Sequence, residues 1–217
     1  MDKAVIYKKK NQDNKKNQDL IKASSAGRND TVAMLLESGA NANAKDNEGR
    51  TALTRAIVGG NSETVKLLLE NGADPNKNGD DGWTPLMIAI SRSHTRKIVR
   101  VLLENGADVN TKTNDNYTVL MWAAMEREPD IVSMLLKRGA DVNVKDTWDN
   151  NTVLVRARNT RYTDIVTLIE NHIRRDKIMK ETKMTSLVIK KGFTPKGDKP
   201  LIPYAHREII YRIASFF

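Results

Sequence analysis

The chain has 217 residues, of which 39% are hydrophobic but only 5% aromatic, so its core must be built from Leu, Ile, Val, Met and Ala rather than from rings. It has no cysteine, which excludes disulfides and thiolate metal sites, and no apolar run of the ~18 residues that a membrane-spanning helix needs. The net charge of +9 is uneven: residues 1–18 carry six Lys against two Asp, residues 172–217 carry eleven Lys or Arg against four acids, and the stretch 19–171 is left at −2.

The opening segment, 1–16, is basic and low in complexity. It has no apolar run long enough for a signal peptide, so the chain is expected to be soluble and cytoplasmic. The triplets at Asn29, Asn116 and Asn150 then read as coincidental glycosylation signals. "KKKNQDNKKNQD" (8–19) writes KKNQD twice and is expected to be a solvated tail that does not fold by itself. It contains no aromatic on which a single strand could stack, which disfavours a nucleic-acid surface.

From residue 17 the chain repeats itself. "LLENGAD" stands at 68–74 and again at 102–108, with "LLESGAN" from Leu35 and "LLKRGAD" from Leu135 as looser copies. Gly39, Gly72, Gly106 and Gly139 are spaced by 33, 34 and 33 residues, and so are Asn43, Asn76, Asn110 and Asn143. Thr51, Thr84, Thr118 and Thr152 follow at 33, 34 and 34; each has a Leu two residues later and an Ala five residues later. Three landmarks sharing one period predict a stacked array of helix pairs. The Thr caps a short first helix, with Pro85 at its first position in the third repeat. The Ala lets neighbouring helices approach closely. The second helix carries the stripes Val65/Leu68/Leu69, Val32/Leu35/Leu36, Val99/Leu102/Leu103 and Val132/Leu135/Leu136. The Gly ends that helix in a left-handed conformation, and a polar hairpin leads to the next Thr.

The boundaries predicted are 17–49, 50–82, 83–116, 117–150 and 151–172. In the first repeat Leu20 and Ala23 fall at the Leu and Ala positions, behind a polar front. In the last, Glu170 replaces the second Leu of the stripe and Ile173 stands where the Gly stop is due, so the helix runs on through "IRRDKIMKE". "SRSHT" (91–95) carries one extra residue between helices, and "DTWDNN" (146–151) one extra in the hairpin.

"TPLMIA" (84–89), "TALTRA" (51–56), "TVLMWA" (118–123) and "TVLVRA" (152–157) resemble the ankyrin repeat signature T-P-L-H-x-A. The resemblance covers roughly residues 17–172 and implies an all-α solenoid of stacked helix-turn-helix units with polar hairpin loops. The family's His is replaced by Thr54, Met87, Met121 and Val155; in the family that His ties loop to helix, so loop rigidity is in question here. The resemblance also implies a non-catalytic, monomeric scaffold that binds another protein on a concave face of hairpin tips and first helices. On that face fall Arg50, Trp83 and Tyr117 immediately before the Thr, Arg55, Ile88, Trp122 and Arg156 four residues after it, and Trp148 in the longer hairpin. Aromatics with Arg are the composition of binding hot spots; the competing reading packs these rings against neighbouring loops. Asn110 and Asn143, each ending "GADVN", resemble the context that a cytosolic asparagine hydroxylase modifies in ankyrin repeats, and an Asn that fixes the hairpin is the simpler reason for either.

Nothing in the chain suggests catalysis. His94, His172 and His206 lie in unrelated segments, no phosphate-binding glycine loop occurs, and "NGDDG" (78–82) lacks the spacing of a calcium loop. No cofactor, metal or small-molecule substrate is expected. Residues 173–200 form a basic extension ending in a Gly/Pro/Lys linker. Residues 201–217 follow as an amphipathic helix with Ile209, Ile213, Phe216 and Phe217 on one spacing. "EIIYRIASFF" resembles the opening helix of an F-box, which implies an alternative role as a ubiquitin-ligase adaptor; a basic-ended nucleic-acid protein is the second alternative. Lys- and Asn-rich usage suggests an AT-rich source, and for an intracellular bacterium or virus the host cytosol would be the site of action.

Overall fold

The computed structural model describes residues 3–78, 82–92 and 96–190. Among these residues there are ten helices: α1 (Lys3–Ser25), α2 (Asn29–Glu37), α3 (Ala52–Val58), α4 (Ser62–Glu70), α5 (Pro85–Ile90), α6 (Arg96–Glu104), α7 (Val119–Met125), α8 (Pro129–Lys137), α9 (Val153–Asn159) and α10 (Thr163–Lys190). No strand occurs among the described residues; the hairpins close on single antiparallel bridges, Lys45 to Thr51 and Lys112 to Thr118. The chain divides into two compact units, residues 1–169 and 170–217.

In the first unit the helices form two rows. First helices pack in the order α1, α3, α5, α7, α9, and second helices in the order α2, α4, α6. The alanines at the crossing points, Ala56, Ala89, Ala123 and Ala157, are at most 1% exposed, so the first-helix row has room for nothing larger. The core is one continuous cluster running from Leu20 and Ala23 to Ile165 and Ile169. Of the second-helix stripes, only Leu35 and Leu36 remain partly buried, because α2 has a neighbour on one side alone.

Local signals in the sequence account for these elements. The hydroxyls of Thr51, Thr84 and Thr118 accept from the backbone N–H three residues on, and Thr51 completes a reciprocal capping box with Thr54. Thr152 adopts the same extended backbone but makes no side-chain cap. "LLENGAD" closes α4: Gly72 turns left-handed at φ 84°, its N–H donates to the Leu69 carbonyl, and Ala73 N–H donates to that of Leu68. These are the two bonds of a Schellman stop.

The N-terminal stretch differs from the sequence expectation. Residues expected to form an unfolded tail belong to α1, one helix from Lys3 to Ser25. The segment contains no Gly or Pro, and Lys and Gln are good helix formers. Burial of Leu20 and Ile21 fixes its last turns, and adding residues to a fixed helix is far easier than starting one. Lys16 Nζ also donates to the Ser38 carbonyl, and Asn17 Oδ1 accepts from Asn41 N–H.

At the far end, α10 meets no Gly stop and continues for 28 residues, its basic stretch carrying exposed Ile178 and Met179 in the second unit. Ile209, Ile213, Phe216 and Phe217 lie outside the described residues, as do His94, His206 and the extra residue of "SRSHT".

Candidate functional site

The residues before the capping threonines and those four positions after them sit on the hairpin side of the first-helix row. The structure brings four of them together. Trp83, from the third repeat, meets Trp122 of the fourth with ring centroids 4.8 Å apart and planes tilted by 47°. Tyr117 also packs against Trp122, with ring centroids 5.2 Å apart. The Arg156 guanidinium of the fifth repeat lies 4.9 Å from the Tyr117 ring centre. These tilted geometries suit the ring quadrupoles, and an arginine over a tyrosine face adds a cation–π contact. The result is a ladder across three repeats. Tyr117 is buried within it, while Trp83, Ile88 and Trp122 are half-buried and packed against the core.

Arg156 is anchored from the other side. Its Nε donates at 2.8 Å to Asp146 Oδ2 at the start of the lengthened hairpin. Asp146 Oδ1 accepts the N–H groups of Trp148 and Asp149, both at 3.0 Å. The Arg156 hydrogen bond, supported by these backbone donors, outweighs burial and holds the Asp146 carboxyl down at about 2. Trp148 itself projects from the tip, 71% exposed.

Arg50 and Arg55 form a separate cluster at the other end. Arg55 donates through Nε at 3.2 Å and Nη2 at 2.9 Å to Asp46 Oδ2. Asp46 Oδ1 accepts from the N–H of Glu48 and of Arg50, each at 2.9 Å. Burial pushes the Asp46 carboxyl up, but the Arg50 backbone N–H and the Arg55 guanidinium together bring it below its ordinary value. Arg50 pairs with Glu48 and lies 3.5 Å from Asp46. An open cleft of 360 Å³ between α1 and this hairpin is lined by Ile21, Lys22, Asp46, Glu48 and Arg55. Its carboxylates, Asp46 and Glu48, are both paired with these arginines.

Asp46 and Asp146 are the residues that sequence reasoning missed. Both precede the capping Thr in a repeat that has Arg four positions after it. The pairs Arg55–Asp46 and Arg156–Asp146 tie helix to hairpin, which answers the loss of the family histidine. In the two central repeats the Arg position holds Ile88 and Trp122 instead, so the middle of the face is apolar between two ionic tethers. Tyr117 adds a hydroxyl that donates to Met125 Sδ, and burial raises its pKa.

The asparagines form a second ladder. Asn43 Oδ1 accepts from Asp74 N–H at 2.8 Å and its Nδ2 donates to the Gly72 carbonyl at 2.8 Å. Asn76 repeats this on Asp108 and Gly106, and Asn110 on Asp141 and Gly139. Each asparagine therefore fixes the start of the following hairpin. Asn143 has no such partner in the next repeat; its Nδ2 donates locally to Asp141 Oδ1 at 3.2 Å.

The family model for ankyrin repeats (3 copies) matches residues 3–79, 74–146 and 112–181. No curated protein matched the chain. Among the described residues no helix is long and apolar enough to cross a membrane. With a repeating Thr-capped first helix, a glycine-stopped second helix and a family match over most of its length, the chain belongs to the ankyrin repeat family.

Proposed function

We propose that the chain is a non-catalytic scaffold that binds another protein on its concave face, centred on Trp83, Ile88 and Trp122. Ankyrin repeats generally mediate protein–protein interaction. The observation that carries the reading is the contact of two half-buried tryptophans from neighbouring repeats, 4.8 Å apart, in the stretch where the ionic tethers are replaced by apolar side chains. Rings already held by stacking lose little further freedom on binding, which is what makes aromatic anchors effective. Arg55 and Arg156 serve chiefly to hold the hairpins, and Arg50 lies beside Asp46, the partner of Arg55. Trp148, exposed on its tip, extends the surface toward the fifth repeat.

Affinity capture followed by binding measurements on Trp122→Ala and Trp148→Ala tests this. Loss of either anchor should weaken a captured partner by about 2 kcal/mol. The Trp148 variant should keep the wild-type melting temperature, since its ring is exposed. Unchanged affinity in both variants would overturn the assignment. A chain ending at residue 200 serves as a third arm: loss of a ligase subunit alone would favour the adaptor role of Ile209, Ile213, Phe216 and Phe217. Asn143 is proposed as a better hydroxylation site than Asn110, whose amide is held at both ends, and a mass gain of one oxygen on either would show it.

A further inference from the structure

We propose that Met125 is a site of reversible oxidation by hydrogen peroxide, and that its sulfoxide resets the aromatic ladder beside it. Met125 ends α7 and is 41% exposed, whereas Met87 and Met121 on the same row of helices are 0% and 1% exposed. Met34 and Met179 are more exposed, but they lie on α2 and α10, away from the ladder. Met125 alone among these is joined to the ladder, because the Tyr117 hydroxyl donates to its sulfur.

The chemistry follows from that contact. A sulfur lone pair attacks one peroxide oxygen, and the S–O bond forms as the O–O bond breaks. The proton on the transferred oxygen passes to the departing hydroxide, which leaves as water; sulfur is oxidised and peroxide is reduced. The Tyr117 O–H, held on the sulfur in the reduced chain, occupies a lone pair that must be freed before the sulfur can attack, so it slows this step. In the product it has a strong acceptor in place of a weak one, since a thioether accepts hydrogen bonds poorly and a sulfoxide accepts them well.

A second observation points the same way. Trp122 lies one helical turn before Met125, on the same face of α7. Its buried Nε1–H has no hydrogen-bond partner among the described residues. A buried donor without an acceptor is a standing cost, and a sulfoxide one turn away brings an acceptor into its neighbourhood. Tyr117 and Trp122 are therefore both donors beside a sulfur that gains an oxygen. Between them they link Trp83 to Arg156, so a change at Met125 acts on the whole ladder.

The test uses the full chain in dilute hydrogen peroxide, with peptide mass mapping over time and tryptophan emission in parallel. Each methionine's rate is divided by its rate in the urea-unfolded chain, which removes intrinsic differences. Met125 should oxidise well ahead of Met121. Tyr117→Phe should speed Met125 by roughly three- to tenfold, the rate equivalent of freeing the sulfur from one ordinary hydrogen bond, and leave Met34 and Met179 unchanged. The emission change should track Met125, be absent in Met125→Leu although Met34 and Met179 still oxidise, and reverse with methionine sulfoxide reductase. The proposal is overturned if Met125 is as slow as Met121, if Tyr117→Phe fails to speed it, or if the emission change survives in Met125→Leu. These readouts come from the chain alone, so they stand apart from any result with a binding partner.

Discussion

Single residues here answer to backbone demands as often as to contacts. Gly72 sits at φ 84°, and a Cβ added there would meet nothing within 4 Å. Gly72→Ala should therefore cost only the conformational penalty, about 1 kcal/mol, seen as a lower melting temperature with native circular dichroism. Gly59 is the opposite case. Its backbone is ordinary at φ −75°, but a Cβ would lie 2.6 Å from Asn61 Nδ2 and 2.7 Å from the Ser25 carbonyl oxygen. Asn61 Nδ2 bonds the Ser24 and Ser25 carbonyls there, so Gly59→Ala should cost more than Gly72→Ala in the same melt. The glycosylation triplets at Asn116 and Asn150 have a conformational origin too. Both asparagines are left-handed, at φ 61° and 56°, in the hairpin position that Gly49 and Gly82 fill in earlier repeats. The threonines that complete the triplets, Thr118 and Thr152, stand at helix N-caps.

Among elements, the second helices carry the core and the hairpins carry the electrostatics. Leu102 is fully buried in α6, and Leu102→Ala should cost about 2–5 kcal/mol in denaturant titration. The hairpin that leads into the fifth repeat is predicted to be acid-sensitive. The Asp146 carboxyl falls from 3.8 to about 2 on folding. Its contribution is therefore complete above the unfolded value and is lost as pH drops through the folded one. Asp146→Asn should cost about 2 kcal/mol at neutral pH, and should flatten the stability profile of the wild type between the two values. Had the variant the same acid profile as wild type, the Arg156 tether would not be the cause. Period, caps, stops and apolar stripes were legible in the sequence because each is a local pattern repeated in register. The tethers were not, because Asp46 and Arg55 are nine residues apart with a turn between them. Nor was the stacking of Trp83 on Trp122, which needs two repeats to be placed side by side. The helix over Lys3–Ser25 was obscured by composition: polar residues without an apolar stripe read as a tail, and only the docking of its last turns reveals otherwise.

For the molecule as a whole, stability is a sum over neighbours. α1 covers the end of the first-helix row through Leu20, Ile21 and Ala23. A chain lacking residues 1–28 would uncover Leu53 and Ile57 on α3, and it should lose cooperative unfolding by calorimetry and bind a hydrophobic dye. If such a chain melts like the full one, α1 is not a cap. The asparagine ladder adds a sense of direction to this sum. Every rung of this ladder is held by the earlier repeat and grips the later one, so through the asparagines each hairpin is latched by its predecessor. Asn143, the last of the row, grips no later repeat among the described residues and bonds only locally to Asp141. In heavy water the amides of Asp74, Asp108 and Asp141, shielded by Asn43, Asn76 and Asn110, should be slow to take up deuterium. The end of the fifth repeat, which no such rung grips, should label first, so that opening proceeds from there backward, as a zip fastener opens from its unclasped end.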